Sequence, residues 1–155
     1  MSMFTRGWGR VLVMGVMLSG FGAGSACAAG PGVTGDLAKF QGRWVTHAGE
    51  RGKLVVTVAF EGTQATVDVV TPQGLKVRVK GEVRIDDSVS PHRLDWVNFN
   101  GADSIDLTEI PAIYEWKGDA LRVCNGGPNN ARPTEFKRGD GVLADVHVFE
   151  RVKGR

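Results

Sequence analysis

The chain is poor in the residues that most often announce chemistry. Its 155 residues hold two cysteines, three histidines and one tyrosine. Cys27 falls in the first thirty residues, so a chain exported and cut behind it keeps only Cys124 and forms no internal disulfide. His47, His92 and His147 are far apart, and no H-x-x-H, C-x-x-C or H-x-E pattern accompanies them. That spacing gives no reason to expect a metal or any other cofactor. A long apolar run is missing too. The stretch from Val11 to Leu18, with scattered apolar residues beyond, is short and glycine-rich against the roughly 20 residues of a membrane span. From residue 36 onward there is no helical stripe, no internal repeat and no low-complexity tract.

What the first residues do contain is a leader. Arg6 and Arg10 are the only charges before Asp36, and "VLVMGVMLSGFGAGSACA" runs from apolar to small. A basic start, a short apolar core and an A-x-A-like end describe a secretory signal peptide over 1–28, cut after Ala28, with 29–35 a flexible lead-in and 36–155 one domain. The alternative is a lipoprotein anchored through Cys27. Gly24-Ser25-Ala26-Cys27 fits a lipobox at three positions, but Gly24 stands where Leu is usual, so ordinary cleavage to a periplasmic or secreted protein is the expectation.

Removing Arg6 and Arg10 from 19 basic residues leaves 17 against 17 acidic. A near-neutral chain has no one-signed field for nucleic acid, and membrane contact is expected only if Cys27 is lipidated. Taking 28 residues from 155 leaves 127, enough for one core without disulfides.

The remainder reads as strands. In "LKVRVKGEVRID", residues 75–86, apolar or small residues alternate with charged ones over twelve positions, which is a strand with one dry and one wet face. Gly81 in its middle suggests a bend or bulge. "QGRWVTH", "KLVVTVAFEG", "TQATVDVVT", "RLDWVNF", "AIYEWKG", "ALRVC" and "DVHVFERVK" bring the total to eight, separated by turn signals such as "TPQG" and "KGDA". A single helical turn at "GDLAKF" has Asp36 as a candidate cap. Eight short strands with hairpin-length links predict an all-β, antiparallel up-and-down barrel, either filled by side chains or holding one small ligand.

Two resemblances support that expectation. "FQGRW", residues 40–44, is similar to the G-x-W signature of lipocalins and the wider calycin group. The resemblance implies that Gly42 and Trp44 open the first strand at a closed barrel end, with Arg151 packed across the Trp. More widely, "FQGRW", "IYEWKGDALRVC", "RPTEF" and "VFERVK", over about residues 37–153, resemble an uncharacterised planctomycete-type bacterial domain family. That likeness implies a small exported barrel of lipocalin-like shape and no particular activity.

Candidate chemistry is thin. Cys124 has three readings: buried thiol, nucleophile or metal ligand. The first is favoured because no helix N-terminus or histidine stands beside it in sequence. His47 and His147 lie on the first and last strands, which barrel closure would place side by side, a weak metal or pH-sensing idea. "VCNGGPNNARPTEF" reads as a flexible connection that could gate a barrel mouth, not a phosphate loop. No acid pair or nucleophile is assignable, so the chain is not expected to be an enzyme. Trp96, Tyr114, Trp116 and Phe149 are the candidate ligand-binding residues, because aromatic area with a polar handle suits small-molecule pockets. The expected function is binding of a small, mostly apolar ligand. The alternative is a filled barrel that acts as a protein-interaction or inhibitor module through its surface.

Expressed with its own leader in a bacterium, the protein should have a denatured mass starting at Ala29. A diacylglycerol-sized addition on Cys27 would establish the lipoprotein instead.

Overall fold

Alternating sequence builds the strands, and their number closes the sheet. The computed structural model of the protein describes residues 32–101, 106–127, 131–140 and 143–154. The expected leader, its cleavage site and Cys27 lie outside the described residues. A short helix α1 (Asp36–Phe40) leads into β1 (Gly42–Ala48), followed by β2 (Leu54–Glu61), β3 (Gln64–Val70) and β4 (Lys76–Asp86). Then come β5 (His92–Gly101), β6 (Asp106–Lys117), β7 (Ala120–Asn125) and β8 (Val146–Arg151). Each strand pairs antiparallel with the next, and β8 returns to β1, giving a closed eight-stranded up-and-down barrel.

Register fixes which side chains face inward, because cross-strand partners share a face. Trp44 pairs with Val58, Val58 with Val67 and Val67 with Val79. On the far wall Leu94 pairs with Ala112, Tyr114 with Val123 and Leu121 with Phe149. These inward rows form the core, and Arg78, Lys80 and Arg84 of the alternating β4 face solvent.

The expected bulge is present. The β4–β5 register shifts between Lys80 and Glu82. A Cβ on Gly81 would lie 2.5 Å from the Phe99 ring, so the glycine lets Phe99 cross the inside of the sheet at the bulge.

One end of the barrel is sealed by α1. Phe40 is fully buried against Phe60, Tyr114 and Trp116, with ring centroids 5.3, 5.0 and 5.2 Å away. The Trp44 indole N–H donates to the Phe40 carbonyl at 2.7 Å, which ties the helix end to the first strand. Arg151 closes the stack, its guanidinium 4.2 Å from the Trp44 ring. It also donates to the Gln41 and Lys39 carbonyls, both at 2.6 Å. These are carbonyls that the end of a helix leaves without partners. Gly42 has φ 108° and passes beneath the Arg151 guanidinium, where a Cβ would sit 3.1 Å from it. The G-x-W glycine therefore serves both backbone conformation and close approach.

This cluster also holds the barrel seam. β1 and β8 pair at Trp44–Arg151 and Val45–Glu150, with a further bond from Val152 N–H to the Arg43 carbonyl. Both pairs lie at the sealed end; toward the other end Thr46 to Ala48 pair with β2.

Replacing Arg151 by Ala removes a cation–π contact and two charge-assisted hydrogen bonds from a short seam. The expected loss is about 2 kcal/mol, read as a lowered urea midpoint. An unchanged midpoint would remove Arg151 from the closure.

Candidate functional site

Two ends of one barrel differ in how they are filled. At the sealed end most inward residues are buried, from Val58, Phe60 and Ala65 across to Leu94, Ala112 and Tyr114, with Ile85 and Trp116 half-buried. The carboxylate of Asp36 sits inside this apolar packing. It accepts from Tyr114 OH at 2.9 Å, the Trp116 indole N–H at 3.0 Å and Lys39 Nζ at 2.7 Å. His92 Nδ1 lies 3.6 Å away, buried and without a hydrogen bond. The Asp36 backbone N–H donates to Asp87 at 2.9 Å, pinning the start of α1 to the β4–β5 turn.

Asp36 was expected to cap the helix; instead it is the first helical residue, Gly35 holds the cap position, and no side-chain cap bond forms. The reason is energetic. Burying a carboxylate costs several kcal/mol unless it is bonded, and Tyr114 and Trp116 supply donors that a cap would forgo. Desolvation pushes the Asp36 pKa up, but bonds from Lys39, Trp116 and Tyr114 together outweigh it, so the net shift is downward. Burial and the Asp36 carboxylate raise the Tyr114 pKa strongly, which keeps the phenol a donor.

Of the four aromatics singled out from sequence, the fold brings Trp96, Tyr114 and Phe149 into the buried core and leaves Trp116 half-buried at its edge. Tyr114 and Trp116 spend their polar atoms on Asp36. Trp96 reaches across to β7, its indole N–H donating to Asn125 Oδ1 at 2.9 Å.

The opposite end is different. Leu54, Val56, Val67, Val69, Val77 and Val79 all face inward by register, yet each is only half-buried. These inward apolar side chains keep part of their surface in contact with solvent, while Thr46 and Phe99 at the same end are buried. Across from these valines, the inner wall of β7 and β8 is partly polar. Asn125 shares a face with Ala112, and His147 with Val123. His147 lies with its ring 6.2 Å from that of Phe149. Burial lowers its pKa, with the Asp145 carboxylate pulling the other way, so at neutral pH the imidazole is uncharged and offers one donor and one acceptor.

Placement also disposes of the histidine pair. His147 faces into the barrel and His47 is exposed on the outer face, one position from the inward Thr46, so closure does not bring them together. Among the described residues no group of three His, Cys, Asp or Glu side chains is placed to hold a metal.

Cys124 faces outward and is fully buried all the same. The segment after β7, expected to be a plain flexible connection, is tied along the outer wall. Arg132 pairs with Asp95 at 2.6 Å and donates to the Ala112 carbonyl at 2.7 Å. The Cys124 thiol lies 3.3 Å from the Lys137 carbonyl and 3.5 Å from that of Glu135, as their donor. Burial raises its pKa, so at neutral pH it is a thiol and not a thiolate nucleophile. Between this segment and β7 lies an open groove of about 470 Å³, lined by Asn125, Pro133, Lys137 and Ala144 among others.

Sequence reasoning missed Asn125, and it weighed His147 only as a partner for His47. The signal for both was parity: each stands two positions from an inward core residue, Val123 or Phe149.

A carboxylate with a depressed folded pKa contributes stability above its unfolded value of about 3.9, and the contribution is lost as pH falls through the folded one. Stability should therefore drop below about pH 4, and Asp36→Asn should flatten that limb of the pH profile while lowering stability at neutral pH. Equal acid limbs in both proteins would show that Asp36 is not the group responsible. Comparison of the chain with protein-family models, with curated proteins and with solved structures returns no match.

Proposed function

We propose that the protein is an exported, non-catalytic carrier that takes a small apolar ligand into the open half of its barrel. The observation that carries this reading is the burial gradient. Most inward residues of the sealed half are buried, whereas the six aliphatic side chains from Leu54 to Val79 at the other end are half-buried. A barrel of eight strands is at the size where the interior is either filled or holds one small ligand. Incomplete burial of one half favours the second. The lipocalin-like shape implied by Gly42, Trp44 and Arg151 accords with it, since the three close one end and leave the other as the way in.

In this reading the four aromatics divide by task. Trp96 and Phe149 form the floor that the ligand meets. Tyr114 and Trp116 hold α1 in place beneath that floor through Asp36. The burial of Cys124, which raises its pKa, accords with a non-catalytic reading. The leader expected from the sequence over 1–28 supports reading this activity as periplasmic or extracellular.

Pyrene reports the test by the fine structure of its emission. The folded protein should bind it in the micromolar range, and Val79→Trp, which fills the cup from β4, should weaken binding about tenfold or more with the circular dichroism unchanged. Pyrene that keeps its aqueous spectrum at high protein concentration would favour the filled barrel acting through its surface.

A further inference from the structure

The wall facing the half-buried valines carries two inward polar side chains on neighbouring strands. Asn125 and His147 lie on adjacent strands. Asn125 follows Val123 by two positions and His147 is the partner of Val123, so the two are diagonal neighbours on the inner face. Diagonal neighbours stand about 7 Å apart, a span that one oxygen-bearing group bridges.

Their chemistry is set by what they already touch. An indole N–H can only donate, so the bond from Trp96 fixes Asn125 Oδ1 toward Trp96 and turns Nδ2 the other way. Among the described residues Nδ2 has no acceptor. His147 likewise makes no hydrogen bond to a described residue, and its ring is half-buried. Two donors of this kind, across the barrel from half-buried valines, are costly to leave unsatisfied when an apolar ligand displaces water from them. A purely hydrocarbon ligand would impose that cost, and a ligand with an acceptor at one end would remove it.

We infer that the ligand is a single-chain amphiphile whose carbonyl or carboxyl oxygen accepts from Asn125 Nδ2 and His147, with its chain against Val56, Val67 and Val79. This rests on the carrier reading above and adds the class of ligand and the residues that select it. Thr46, inward on β1 and buried, borders the same region from the other side of the seam.

Two probes separate the inference from the reading beneath it. Decanoic acid carries the acceptor and pyrene does not. Both should bind the wild-type protein. His147→Phe and Asn125→Leu should each weaken decanoic acid about tenfold and leave pyrene within about twofold. Pyrene binding also reports that each variant keeps its cup, and either variant alone suffices if the other fails to fold. Decanoic acid binding equally well to both variants would overturn the head-group assignment and leave the carrier reading standing. Binding of neither probe to the wild-type protein would overturn both.

Discussion

The fold depends on one buried carboxylate. Asp36 ties a helix of five residues, which has little stability of its own, to Tyr114 and Trp116 of β6, with Lys39 of the same helix as a third donor. With that helix in place Phe40 fills the barrel end, and its carbonyl receives the Trp44 indole. Arg151 can then bond to the carbonyls of Lys39 and Gln41 while it covers Trp44. The same arginine stands at the short β1–β8 seam. Sealing the end and closing the cylinder are thus one event, with Asp36 at the inside and Arg151 at the outside.

Concentrating the aromatics at one end has a consequence for the other. Phe40, Trp44, Phe60, Tyr114 and Trp116 supply most of the large side chains near the seal. The walls of β2, β3 and β4 beyond them carry valine and leucine, with Phe99 of β5 laid against Gly81. On the proposed carrier reading, the aromatic floor and these shorter side chains are the base and walls of the cup.

Much of the architecture was legible because an antiparallel barrel writes itself with period two. The β4 alternation from Leu75 to Asp86 could be nothing else, and Gly81 marked its bulge correctly. The start of β6 was hidden. Pro111 reads as a strand breaker, yet β6 runs from Asp106 straight through it. Asn125, the last residue of β7, pairs with Ala112, and Gly126 N–H donates to the Pro111 carbonyl. The missing Pro111 N–H therefore points past the end of that strand, where no ladder bond is lost. The G-x-W pattern and Arg151 announced their contact. Asp36 did not announce its role, since a helix-start aspartate has an ordinary local use as a cap and its true partners lie about eighty residues on. The course of the segment after β7 was equally illegible, because it is set by long-range bonds from Arg132 and to Cys124.

The central claim is that the half of the barrel away from α1 holds apolar space. A crystal of the protein pressurised with xenon tests it most directly, because xenon settles in apolar cavities without needing any particular chemistry. The account predicts a xenon atom among Val56, Val67 and Val79, above the Trp96 ring. A barrel interior free of xenon, with those valines packed against one another, would contradict it.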